Sequence, residues 1–82
     1  MRVSAGARVR YALPQRLARG ARGFELSFRV TEPLRKAGIV VRGVGSGKVL
    51  ARKNFGCVLP SELQKIKVRA AVTEDIEVAC RE

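Results

Sequence analysis

FELSFRV, residues 24–30, decides the fold reading: Phe24, Leu26, Phe28 and Val30 fall on one side of an extended chain, with Glu25, Ser27 and Arg29 on the other. A period of two with one apolar side is the pattern of a half-buried antiparallel strand. Upstream, in ARVRYAL, Val9, Tyr11 and Leu13 share one phase while Arg8 and Arg10 take the other, up to Pro14, which lacks a backbone donor. Downstream, GIVVRG brings the β-branched run Ile39 to Val41, and KVLARKNF reads as its hairpin partner. QKIKVRAAV alternates again, with Ile66, Val68, Ala70 and Val72 opposite Lys65, Lys67 and Arg69. DIEVAC then sets Ile76, Val78 and Cys80 in phase, with Glu77 opposite.

Turn signals separate these six segments: ARGARG, TEPLRKAG, GVGSG and LPSE. Helix has little room. Pro14, Gly20 and Gly23 limit LPQRLARGARG to two turns at most, and LPSELQKI reads either as a helix start or as a corner between strands. Residues 1–82 therefore predict an all-β fold, a single immunoglobulin- or fibronectin-like antiparallel sandwich of six to seven short strands. The six segments leave a seven-stranded sandwich one strand short, so the reading expects an open sheet edge or a strand supplied from outside this chain.

Charge is the strongest compositional signal, at +10 net. Residues 1–73 hold sixteen of the seventeen Lys and Arg and only three of the seven acids; four acids gather in EDIEVACRE, residues 74–82. Such a basic body favours an anionic partner: nucleic acid, an acidic protein face or a nucleotide cofactor. Lys65, Lys67 and Arg69, with Arg8 and Arg10, are the candidate contacts for that partner. Aromatics do not reinforce a nucleic-acid reading, because base stacking needs exposed rings. Tyr11, Phe24 and Phe28 share phase with aliphatics and are expected in the core, leaving Phe55 as the only candidate platform.

Catalytic chemistry finds no foothold. The chain contains no histidine, which removes imidazole metal ligands and Ser-His or Cys-His nucleophiles. Cys57 and Cys80 share phase with apolar neighbours and read as reduced core thiols. Glu74, Asp75 and Glu77 read as a solvated acidic cluster. GVGSGKVL, residues 43–50, fails both phosphate-binding fingerprints: Arg42 stands where a P-loop needs its first glycine, Val49 stands where it needs Ser or Thr, and a strand follows in place of a helix. It reads as a hairpin turn with Lys48 a surface charge. No catalytic, cofactor-binding or metal-binding residue is assigned. The chain also has no apolar run of membrane-spanning length and no signal-peptide core near its start, so the expectation is a cytoplasmic protein without a membrane partner.

The order VRYALPQRL, ELSFRV, IVVRGVGSGKVLARKNF, VLPSEL and KIKV resembles the C-terminal β-domain of bacterial FAD- and NAD(P)-dependent oxidoreductases of the pyridine nucleotide-disulfide oxidoreductase type. The shared pattern is R-Y-x-x-P-Q at Arg10, Tyr11, Pro14 and Gln15, an aromatic-Arg-Val strand, a hairpin ending in basic residues, and a P-x-E-M corner in which Leu63 replaces Met. The resemblance implies a C-terminal fragment that packs against catalytic domains or a partner subunit. FAD and NAD(P) would belong to the rest of a full-length relative and not to this chain. The alternative is a free-standing basic nucleic-acid-binding domain.

Overall fold

The computed structural model describes residues 1–81. Its strands are β1 (Val3–Ala5), β2 (Val9–Leu13), β3 (Phe24–Val30), β4 (Leu34–Gly43), β5 (Val49–Val58), β6 (Gln64–Val68) and β7 (Ile76–Arg81). They form a four-stranded sheet in the order β1-β7-β4-β5 and a three-stranded sheet in the order β2-β3-β6. The all-β sandwich expected from the alternations is what the chain forms. No helix among the described residues is long and apolar enough to cross a membrane.

Alternation explains the core. Leu26, Phe28 and Val30 of β3 and Ile66 and Val68 of β6 are buried on one side of the three-stranded sheet. They meet Ile39 and Val41 of β4 and Ile76, Val78 and Cys80 of β7 in a single cluster. Phe28 is fully buried, and the half-buried Phe55 meets it edge-to-face at 6.0 Å between centroids. At the margin, Val72 is buried and held by two backbone bonds, from its own N–H to the Ala21 carbonyl and from the Gly20 N–H to its carbonyl. LPSE is a strand-to-strand corner, closed by the Glu62 N–H donating to the Leu59 carbonyl at 3.1 Å.

The missing strand lies in the chain itself. Val3, Ser4 and Ala5 pair in parallel with Ile76, Glu77 and Val78, whereas the other ladders among the described residues are antiparallel. Three residues with one buried side chain carry too little periodicity to be legible, so the expectation of an edge left for an outside strand is corrected here. The far side of β1 is also occupied: the Val3 N–H donates to the Gln15 carbonyl, and the Leu17 N–H donates to the Met1 carbonyl, both at 2.8 Å.

Two phases also change. In β2 the register jumps between Val9↔Val30 and Tyr11↔Arg29, so Arg10 is an extra residue, a β-bulge. Beyond it the sides exchange: Ala12 is buried, Leu13 is exposed, and Tyr11 lies on the outer side with its neighbour Arg29. Tyr11 therefore does not belong to the core. In β4, which starts inside the expected TEPLRKAG turn, the ladder skips Lys36 at φ 51°, and Leu34 and Ala37 are both buried. Its partner Cys57 is exposed, not a core thiol, because it lies on edge strand β5 opposite the exposed Arg35.

Candidate functional site

The five cations singled out from the sequence are all exposed, but they do not form one patch. Lys65 and Lys67 project from the outer side of β6, where Lys67 is paired with Glu25 and Lys65 with Ser27, and Arg69 follows just after the strand. Lys65 Nζ lies 3.9 Å from Glu25 Oε1, so part of this stripe is already opposed by an acid. Arg8 and Arg10 lie at the opposite edge strand, with β3 between. Arg8 takes a positive φ of 62° in the turn before β2, with its Nε 3.9 Å from Glu32 Oε1. Arg10 is the bulged residue.

Arg10 has companions that the sequence did not reveal. With Arg2 and Arg16 it lines a cleft of about 380 Å³ between β1 and β2, whose lining also includes Val3, Ala5, Tyr11, Ala12 and Gln15. Arg2 and Arg16 form a bridge between β1 and the segment after β2, which brings their side chains to the same cleft. Nothing in the linear pattern marks Arg2, because it precedes a three-residue strand that is too short to read. Arg16 directly follows the R-Y-x-x-P-Q segment and was legible only as one more cation.

The outer side of the three-stranded sheet also gains an aromatic. Tyr11 is half-buried beside Arg29, whose Nε is buried with no hydrogen-bond partner among the described residues. The neighbouring row holds Leu13, Ser27 and Lys65. Phe55, the platform expected from sequence, is unsuited to stacking: one side meets Phe28 and Lys53 Nζ sits 5.0 Å from the ring centroid.

The glycine loop binds an anion after all, but the anion is the chain's own. In the β4–β5 turn the Gly43 N–H donates to the Lys48 carbonyl at 2.9 Å and the Gly47 N–H to the Gly43 carbonyl at 3.0 Å, with Gly47 at φ 74°. Two successive amides, of Gly45 and Ser46, both donate to Glu74 Oε1 at 2.9 Å, while the Ser46 hydroxyl donates to Oε2 at 2.5 Å. Adjacent amides aimed at one carboxylate make an anion nest. The Ser46 hydroxyl, then the Ser46 and Gly45 amides and the Lys48 charge, hold the Glu74 carboxyl below its usual 4.5, against a smaller opposing effect of desolvation.

The other two acids are engaged as well: Asp75 is exposed and Glu74 and Glu77 are half-exposed, as a solvated cluster requires, but each carboxylate also has a partner. Asp75 Oδ1 accepts from the Arg2 amide at 2.8 Å, and Glu77 Oε1 accepts from Arg42 Nη2 at 3.0 Å. Among the described residues there is no group of three or more His, Cys, Asp or Glu that would hold a metal ion. Comparison with family models, curated proteins and solved structures gives no match.

Proposed function

We propose that the chain is a non-catalytic C-terminal β module of the kind found in FAD- and NAD(P)-dependent oxidoreductases, packing against acidic surfaces of catalytic domains or of a partner subunit. One observation carries the reading. The two segments that bear the resemblance, RYALPQ and VLPSEL, also carry three of the five large exposed hydrophobics: Leu13, Leu59 and Leu63. Exposed leucines, with Leu13 in one cross-strand row with Ser27 and Lys65, suit a surface that is covered in a larger assembly. Charge complementarity would then set orientation and association rate.

The DNA upstream of the coding segment tests this directly. A continuous reading frame with glycine-rich dinucleotide-binding fingerprints supports the module, and a separate gene with its own ribosome-binding site overturns it. A second reading, nucleic-acid binding, is favoured by the outward Tyr11 among cations, which the bulge creates. It requires a gel shift with single-stranded RNA or DNA that weakens steeply with salt and that Tyr11→Ala reduces. A shift insensitive to that substitution removes the second reading.

A further inference from the structure

We propose that the cleft between β1 and β2 binds a nucleoside phosphate, its phosphates held by Arg2, Arg10 and Arg16 and its base set against Tyr11. This goes beyond the module reading and stands whether or not the chain is joined to catalytic domains.

The cations come from three separate segments, and backbone structure delivers each. Arg2 and Arg16 face across a bridge fixed by the Val3–Gln15 and Leu17–Met1 hydrogen bonds. Arg10 is the inserted residue of the β2 bulge, a device that re-aims a side chain. Their side chains are in no ion pair among the described residues; Asp75 lies in the adjoining groove with Arg2 and Arg16, where its Oδ1 accepts from the Arg2 amide. Guanidinium forks match phosphate oxygens in pairs, and clustered like charges gain most from a compact polyanion. About 380 Å³ lies within the usual range of roughly 300–1,000 Å³ for small-ligand clefts. Tyr11 adds a ring for a planar base and Gln15 an amide with both donors and an acceptor.

A generic basic surface would bind any anion, so the test holds charge constant. The 82-residue chain is titrated calorimetrically with ADP and with pyrophosphate at about 0.15 M salt. Both are expected to bind, ADP the more tightly. The double variant R10Q/R16Q should weaken both by about tenfold or more, the loss expected for charge-assisted hydrogen bonds. The charge-matched K48Q/R52Q, in exposed residues of the β4–β5 hairpin, should leave both within about twofold. Tyr11→Leu should lower ADP affinity by about fivefold or more and leave pyrophosphate unchanged, as loss of stacking requires. Amide shift mapping on the unaltered chain is independent of any folding defect: ADP should shift residues 10–16 and leave Gly45 and Ser46 still. No binding, equal losses in the two double variants, ADP binding no tighter than pyrophosphate, or shifts outside the cleft would each overturn the proposal.

Discussion

At the β4–β5 turn, two backbone amides and the Ser46 hydroxyl converge on the carboxylate of Glu74. At the β1–β2 cleft, Arg2, Arg10 and Arg16 share the lining, and none of the described lining residues is acidic. The first place holds a carboxylate of the chain itself, and the second holds none among the described residues. The acids of residues 74–77 are placed on the turn, on the Arg2 amide and on Arg42. The excess of +10 is therefore not an even coat. Around the turn, charge is internally matched and serves to fix structure; around the cleft, the side chains of Arg2, Arg10 and Arg16 have no ion pair among the described residues.

The largest effect would remove both regions together. Phe28 is fully buried under the one core that joins the two sheets, so Phe28→Ala should cost about 3–5 kcal/mol, by the usual toll for an aromatic core truncation. Set against a typical total of about 5–15 kcal/mol, that is a large share of the stability and should lower the urea midpoint markedly. An unaltered midpoint would mean that the sheets do not share this core. Gly47→Ala breaks the turn alone. A side chain at φ 74° meets left-handed backbone strain, about 1–2 kcal/mol, and should lower the urea midpoint while the cleft's ligand affinity stays the same.

Glu74→Gln sharpens the comparison further, since it removes the charge and keeps the shape. The folded Glu74 carboxyl is held below 4.5, so its contribution is present above that value and is lost as pH falls through the folded value. The unaltered chain should be more stable than the variant at neutral pH, with the gap closing in acid. Urea midpoints at neutral and acidic pH check this, and a pH-independent gap removes the carboxylate from the account. The smallest effect is the mirror image. In R10Q/R16Q, like charges are thinned in side chains that have no ion pair among the described residues, so the variant should gain a few tenths of a kcal/mol at low salt and lose that gain as salt screens the cations. Equal stability at every salt concentration would show that the arginines do not feel one another.

How far the sequence reached depends on the residue. Around FELSFRV, QKIKV and DIEVAC the alternation named the buried side chains correctly, since a strand with one apolar side has only one way to bury it. The exposed side of Lys65, Lys67 and Arg69 followed from the same rule. Tyr11, Leu13 and Cys57 were misread for local reasons: a single inserted residue exchanges the sides of a strand, and an edge strand need not bury every apolar side chain. The glycine loop was rightly read as a turn, but its carboxylate partner lies about thirty residues away and no spacing rule connects Glu74 to Ser46.

By itself, then, the sequence determined that this chain is an all-β sandwich with a basic body, because hydrophobic period and net charge are properties of consecutive residues. Tertiary structure alone decided that VSA becomes the seventh strand, that the C-terminal acids close the glycine turn, and that Arg2, Arg10 and Arg16 share one cleft. Those are pairings between distant segments, fixed by which sheet edges and which faces remain once the core has closed.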